Sequence, residues 1–179
     1  MKIALLVIDM QHGLCEGEGA AWDTPTIVQR INGLCRQARL AGVPVIWIQH
    51  ESETGDLEYG SPGWELAHGL QTEPHDLRVR KTTPDSFNAT ELASLLQARE
   101  IKHLAICGMH TEFCVDTTTR RALALGYPVT LVADAHTSAG NAVLSPAQVI
   151  AHHNATLASI SSFGPRVHAV PSTTMMFAS

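Results

Sequence analysis

The stretch ICGMHTEFCVD, residues 106–116, changes from an apolar strand pattern to a polar helix start within a few residues. Gly108 tolerates backbone angles that other residues avoid, and Thr111 is a candidate N-cap for the helix. Cys114 then falls near the helix start, where unpaired N–H groups and the positive end of the helix favour a thiolate. The stretch therefore predicts a strand, a tight turn and a helix that presents a nucleophile.

The apolar strand pattern recurs along the chain. The predicted strands are IALLVI (3–8), VPVIWIQ (43–49), LRVR (77–80), HLAIC (103–107), PVTLVA (128–133) and RVHAV (166–170). Short apolar runs of this kind are typical of parallel strands buried on both faces. Helical spacings separate them; Thr24 is expected to cap one helix, and Ser145 with Pro146 to begin another. Alternating strands and helices predict a three-layer α/β/α fold.

Length and charge limit the class of protein. The chain has 179 residues, 45% of them hydrophobic, and a formal net charge of -5. This length suits one core, so we expect a single domain over residues 1–179. The 12 Lys and Arg residues form no long basic run, which argues against nucleic acid and membrane partners. A small polar molecule is the expected ligand. The first apolar run is too short for an export signal, so we expect a cytoplasmic protein.

The four cysteines are expected to be reduced thiols. They are Cys15, Cys35, Cys107 and Cys114. A chain without an export signal favours free thiols over disulfides, and no pair has the CxxC spacing of a structural zinc site. We therefore expect neither a metal nor another cofactor. A role for Cys15, six residues after the first strand's Asp9, is left open.

Three titratable residues follow predicted strands. Asp9 follows the first, Lys81 the third, and Cys114 comes one short turn after the fourth. Ligands of open α/β sheets bind outside the carboxyl ends of the strands, where these residues are expected. Asp9 can accept the thiol proton and Lys81 can lower the thiol pKa. Taken singly, each has a structural alternative: a turn cap, a solvated surface charge and a buried small side chain.

Longer segments resemble a known family. LLVIDMQ (5–11), RKTTPDSFNATELASLL (80–96), ICGMHTEFCVDTTTRRALALGYPVTLVADAHTS (106–138) and AHHNATL (151–157) match, in order, the isochorismatase-like cysteine hydrolase superfamily. The resemblance implies a Rossmann-like, six-stranded parallel sheet and an Asp9–Lys81–Cys114 triad that hydrolyses C–N bonds through a thioester. It also implies a cis peptide between Met109 and His110, oxyanion-binding N–H groups at His110 and Cys114, and a homo-oligomer, dimeric or larger.

Two departures narrow the activity that the resemblance implies. IQHESETGD (48–56) contains His50 without the Asp-x-His pattern of metal-dependent nicotinamidases. The isochorismatases that cleave a vinyl ether lack the cysteine. An amide, carbamoyl or imide substrate is therefore expected, and the alternative is a catalytically silent binding or scaffold protein on the same fold. A dinucleotide-binding oxidoreductase is disfavoured, since DMQHGLCEGEG (9–19) lacks the GxGxxG spacing.

Several further side chains are candidates to line the substrate pocket. Aromatic residues in a small domain are often core, yet they also form pocket walls, and a glutamine beside Asp9 can either bind substrate or fix a loop. The candidates are Gln11, Trp22, Trp64, Phe87 and Phe113. The long segment 50–76 is a candidate lid, since loops of this length in compact domains are often functional.

Overall fold

A six-stranded, all-parallel sheet forms the centre of the computed structural model, which describes residues 2–177. The strand order is β3-β2-β1-β4-β5-β6. The strands are β1 (Ile3–Ile8), β2 (Val45–His50), β3 (Leu77–Lys81), β4 (His103–Met109), β5 (Val129–Thr137) and β6 (Val167–Val170). Each predicted strand is present, and the predicted six-stranded parallel α/β class is confirmed.

Helices connect the strands. They are α1 (His12–Cys15), α2 (Thr24–Leu40), α3 (Leu92–Ala98), α4 (Asp116–Ala124) and α5 (Pro146–Ser159). A π-helical turn, Thr111–Val115, leads directly into α4, and a short 3₁₀ turn, Ser172–Thr174, follows β6. Within residues 2–177, none of the helices combines the length and apolarity that crossing a membrane would require.

Both faces of the sheet are covered, which gives three layers. Successive residues of β1 point to opposite faces because the side-chain period of a strand is two. Leu5 packs in the core on the face that α2 covers, whereas Leu6 packs with residues of α3, α4 and α5 on the other. All six residues of β1 are buried, which explains why its sequence is continuously apolar.

Helix α2 begins differently from the sequence prediction. Asp23 is its N-cap residue, with a left-handed φ of 53°, and Thr24 is already helical. The Thr24 hydroxyl donates to the carbonyl oxygen of Cys15 at 3.0 Å, so it ties the helix to α1 instead of capping it. The predicted start of α5 is confirmed: Ser145 and Gln148 form a reciprocal capping box.

The segment between β2 and β3 is anchored to the start of α1. Gln11 and Leu66 form an isolated antiparallel bridge, and main-chain bonds join His12 N–H to Glu65 O at 2.8 Å and Ala67 N–H to Met10 O at 2.9 Å. The middle of this long segment is therefore ordered by contact with the chain just after β1. Its action as a lid stays a prediction.

Candidate active site

The carboxyl edge of the sheet carries the polar residues that the sequence singled out. Asp9 follows β1, His50 and Lys81 end β2 and β3, and Cys114 lies in the turn after β4. The strand order reverses between β1 and β4, because β1 is followed in the sheet by β2 on one side and β4 on the other. Open α/β sheets bind ligands at such a reversal.

Lys81 brings the three predicted catalytic residues together. Its Nζ donates to Asp9 Oδ2 at 2.7 Å and to the Cys114 sulfur at 3.3 Å. Asp9 and Lys81 are almost completely buried, at 1% and 2% exposure, and Cys114 is 9% exposed. A carboxylate, an ammonium and a thiol thus share one site that is largely closed to water, where electrostatic interactions are strong.

Asp9 leaves β1 in an unusual backbone conformation. Its φ is 52°, in the left-handed region that aspartate tolerates better than most residues. Its N–H remains bound to Ile48 O at 2.8 Å, so the residue turns away only after the last bond to the sheet. Of its two carboxylate oxygens, Oδ2 binds Lys81, whereas Oδ1 has no hydrogen-bond partner within residues 2–177. Oδ1 is therefore the atom available to accept a proton.

The turn that carries the cysteine requires glycine at position 108. Gly108 has a φ of 114°, and a Cβ there would lie 2.1 Å from the carbonyl oxygen of Ile8 on the neighbouring strand. The next peptide but one, Met109–His110, is cis. The π-helical turn then begins at Thr111 and contains Cys114.

Thr111 does not cap the helix as the sequence predicted. The N-cap residue is His110, which makes no side-chain cap bond, and the Thr111 hydroxyl lies 2.8 Å from His136 Nδ1. His136 Nε2 lies 3.0 Å from Asn154 Oδ1, and the Asn154 amide donates to Ala133 O at 2.9 Å. Asn154 therefore accepts from Nε2–H, so Nδ1 accepts the hydroxyl proton of Thr111. These hydrogen bonds link residues 108–115, the turn that carries the candidate nucleophile Cys114 and is hereafter the nucleophile turn, to β5 and α5.

The thiol of Cys114 is not acidified in this structure, contrary to the sequence expectation. Burial raises its pKa, the negative charge of Asp9 raises it further, and the Lys81 ammonium lowers it by less than these two raise it. The pKa is raised to about 12. Exclusion of water and the Asp9 carboxylate outweigh the Lys81 ammonium, so the resting group is a protonated thiol.

His50 is a member of this site that the sequence reasoning did not include. It pairs with Lys81 across the β2–β3 ladder, and its Nδ1 lies 3.4 Å from Lys81 Nζ. Burial and the nearby ammonium lower the pKa of His50, which keeps the imidazole neutral. Its place at the carboxyl end of a predicted strand is the signal that would have found it.

Gln11 has a structural role in the site. Its side-chain N–H groups donate to His50 O at 2.9 Å and Trp64 O at 3.0 Å, and its oxygen accepts from His50 N–H at 2.8 Å. These bonds join the chain after β1 to the end of β2 and to the long segment. They favour the loop-fixing alternative over direct substrate binding.

The four aromatic candidates differ in exposure. Trp64 and Phe87 are both 8% exposed, and Phe87 packs in the same core cluster as Cys114. Trp22 and Phe113 are exposed, at 50% and 58%. The indole N–H of Trp64 is buried and has no acceptor within the described residues. Their contact with substrate stays a prediction.

The cysteines are all buried free thiols, as expected. Burial raises the pKa of Cys15 to about 12, and nothing in its contacts assigns it a role. A cavity of about 740 Å³ lies at the opposite, amino-terminal edge of the sheet, bordered by Ile3, Val43 and the Arg39–Asp76 ion pair. Because the three reactive groups converge elsewhere, the candidate active site is placed by its chemistry and not by cavity size.

These features define a class: α/β proteins with a cysteine-centred site at the carboxyl edge of a parallel sheet. Comparison with known families makes the assignment specific. The chain belongs to the isochorismatase family, whose domain model matches residues 3–162. The resemblance seen in the sequence is confirmed.

Several relatives are similar over most of this chain. A streptothricin hydrolase of Streptomyces noursei is 40% identical over 134 residues, 74% of this chain and 49% of that protein. A ureidoacrylate amidohydrolase of Caulobacter vibrioides is 30% identical over 174 residues, 76% of this chain and 77% of that protein. A solved cysteine hydrolase from Pseudomonas syringae pv. phaseolicola is 28% identical, with a TM-score of 0.84 and coverage of 96% and 89%. The chain spans about half the length of the streptothricin hydrolases.

Proposed function

We propose that this chain is a cysteine-dependent amidohydrolase that cleaves an amide, carbamoyl or imide C–N bond of a small molecule. One observation carries the proposal: Lys81 Nζ contacts both a carboxylate oxygen of Asp9 and the sulfur of Cys114 in a buried site. Membership of the isochorismatase family supports it, as do relatives named as an amidohydrolase and a hydrolase.

The first half-reaction forms a thioester. Because the resting thiol is protonated, Asp9 takes its proton as the sulfur attacks the substrate carbonyl. The N–H groups of His110 and Cys114, at the start of the helical segment, hold the oxyanion that results. When the C–N bond breaks, Asp9 returns the proton to the leaving nitrogen, which departs as ammonia, as an amine or, from an imide, as an amide.

The second half-reaction restores the enzyme. Asp9 removes a proton from a water molecule, which attacks the thioester, and a second oxyanion forms at the same N–H groups. Collapse releases the carboxylic or carbamic acid, and the proton on Asp9 returns to the Cys114 sulfur. Lys81 keeps Asp9 oriented and stabilises negative charge on either partner.

An ammonia-release screen tests the proposal. Small primary amides and ureido compounds are assayed by ammonia release, and imides by formation of the carboxylic acid, with the wild-type chain, with Cys114→Ala and with Cys35→Ala, whose thiol lies in α2 on the other face of the sheet. Wild type and Cys35→Ala should form product at similar rates, and Cys114→Ala should lose at least about 10³-fold, since it lacks the nucleophile. Full activity of Cys114→Ala on a confirmed substrate would contradict the mechanism.

Trapping the intermediate separates an enzyme from a silent binding protein. A substrate found in the screen should add its acyl mass to the wild-type chain after rapid acid quench, on the peptide that contains Cys114. If no screened molecule is hydrolysed or forms an acyl adduct and one of them nevertheless binds, the binding or scaffold alternative is favoured.

The wider expectations are part of the same proposal. We expect one domain over residues 1–179, a cytoplasmic location and a homo-oligomer, dimeric or larger, without nucleic acid or membrane partners. Analytical ultracentrifugation of the purified chain measures the assembly directly, and a monomer at micromolar concentration would contradict the expected oligomer.

A further inference from the structure

Two histidines and a glutamate meet outside the candidate active site. His12 is the first residue of α1. Glu16, four residues after His12, directly follows the last residue of that helix. This spacing places both side chains on one face of the helical turn. His12 Nε2 lies 3.2 Å from Glu16 Oε2. The pair is partly exposed and takes no part in the Asp9–Lys81–Cys114 cluster.

The third member comes from the long segment between β2 and β3. His68 Nδ1 lies 2.8 Å from Glu16 Oε1, and the two imidazole rings meet edge to face with centroids 4.8 Å apart. The main-chain bonds from residues 10–13 to residues 63–67 bring this part of the segment to α1. The fold itself, and not a chance surface contact, thus sets the approach of His68 to Glu16.

These three side chains have the composition and spacing of a metal site. One ligand atom from each lies within 4.8 Å of the others. Ligand atoms around a tetrahedral Zn²⁺ are about 3.4 Å apart, given bonds of about 2.0–2.2 Å. Small rotations of exposed side chains are enough to reach that spacing. Two imidazoles and one carboxylate are the ligand types that Zn²⁺ accepts, with a fourth position for water.

The charge of Glu16 supports the same interpretation. Within residues 2–177, its carboxylate lies within ion-pair distance of the two histidines and of no lysine or arginine. No permanently charged side chain therefore neutralises it. A divalent ion would supply the missing positive charge.

We propose that His12, Glu16 and His68 bind a divalent transition-metal ion of the Zn²⁺ type, and that the ion clamps residues 63–68 onto α1. The site is separate from the proposed hydrolysis, which needs no metal. No local spacing in the sequence predicts this site, because its third ligand is 52 residues from Glu16. Its consequence is mechanical, because the clamped segment also contains the Trp64 carbonyl oxygen that accepts from the Gln11 side chain.

Metal titration of the untagged full-length chain tests the site. The Cys114→Ala background removes a competing thiol, and calorimetry with ZnCl₂ measures stoichiometry and affinity. One Zn²⁺ per chain is expected, with affinity at least tenfold lower for His68→Ala and Glu16→Gln. His75→Ala removes another exposed histidine of the same segment and should bind as the parent does. Equal affinity in all four proteins, or no binding at millimolar Zn²⁺, would overturn the proposal.

Two further readouts make a merely structural effect visible. Circular dichroism shows whether His68→Ala and Glu16→Gln keep the parent fold, as expected for exposed positions. Hydrogen exchange of the parent should slow in residues 63–68 when Zn²⁺ is added, and should not slow in His68→Ala. Zn²⁺ binding with unchanged exchange in this segment would overturn the clamp.

Discussion

Cys114 shows how one residue's environment sets its chemistry. Burial and the Asp9 carboxylate raise the pKa of the thiol to about 12, even though an ammonium lies 3.3 Å from the sulfur. The sulfur of Cys114 is therefore not permanently ionised in this site. In the proposed mechanism, ionisation is instead coupled to attack, since Asp9, the base that receives the proton, is already in place.

Asp9→Asn should make Cys114 more reactive while abolishing turnover. The change removes the negative charge that raises the thiol pKa and leaves Lys81 to stabilise a thiolate. Asparagine tolerates the left-handed backbone at this position. Each unit by which the pKa falls raises the thiolate fraction about tenfold at neutral pH. Iodoacetamide labelling of Cys114 between pH 7 and 9, followed by mass spectrometry, measures the rate.

The matched control for this labelling is Asp116→Asn. Asp116 lies two residues beyond Cys114 and pairs with Arg120, and its charge is not among the causes of the thiol's raised pKa. Its labelling rate should equal that of wild type. Slower labelling of Asp9→Asn than of wild type would show that Asp9 does not suppress the thiolate.

Gly108→Ala should prevent normal folding of the nucleophile turn. A Cβ would meet the Ile8 carbonyl oxygen at 2.1 Å, and φ is 114°. We expect a loss of about 3 kcal/mol or more in the free energy of unfolding, from backbone strain and steric overlap together. Urea unfolding followed by circular dichroism measures it.

Gly33→Ala is the companion experiment in α2. Gly33 has no heavy atom within 4 Å of a Cβ built there. Alanine in a helix interior should raise the free energy of unfolding by about 0.5–1 kcal/mol, because it restricts the unfolded chain and favours the helix. If Gly108→Ala and Gly33→Ala change the free energy of unfolding alike, the close approach of Gly108 to Ile8 is not the cause of the loss.

At the scale of elements, a buried histidine joins β5, α5 and the nucleophile turn. His136 is 1% exposed, and burial lowers its pKa from 6.5 to about 4. The folded chain therefore keeps it neutral in a range where the unfolded chain binds a proton. Stability from this residue is complete above pH 6.5 and is lost as the pH falls towards 4.

The free energy of unfolding should record this difference. Between pH 6.5 and 4, wild type should lose about 3 kcal/mol more than His136→Asn, which has no imidazole to protonate. Urea titrations at several pH values measure the slope for each protein. His75→Gln, at an exposed position, should keep the wild-type slope; identical slopes for all three would show that His136 does not titrate as described.

Strand positions were predictable where burial alone decides the sequence. IALLVI predicted β1 at residues 3–8 because both faces of that strand are covered. β4 and β5 continue beyond their predicted ends, to Met109 and Thr137. These extensions include Gly108 in β4 and His136 in β5, which are not apolar, so hydrophobic periodicity could not detect them.

The convergence of the candidate residues was predictable from the sequence, but the electrostatics of the candidate site were not. Strand ends indicated Asp9, Lys81 and Cys114, because parallel strands present their carboxyl ends at one edge. The high thiol pKa depends on how much water the folded chain excludes, which no local pattern records. The contact of His50 with Lys81 depends on the β2–β3 register, and Thr111 serves His136 through a contact 25 residues away in the chain.

For the molecule as a whole, one sheet covered on both faces should unfold cooperatively. Fluorescence reports the surroundings of the tryptophans, among them the fully buried Trp47 and the half-exposed Trp22. Circular dichroism reports the backbone of the whole chain. A single domain predicts coincident urea transitions by the two methods. Two separated midpoints would contradict the single-domain proposal.

Lys81 lies on β3, the strand at one edge of the sheet, which pairs with β2 alone. A chain in which the other five strands had assembled would already hold the sulfur and the carboxylate, but not the ammonium between them. Under the proposed mechanism, recovery of hydrolysis after denaturation therefore reports when β3 joins the sheet.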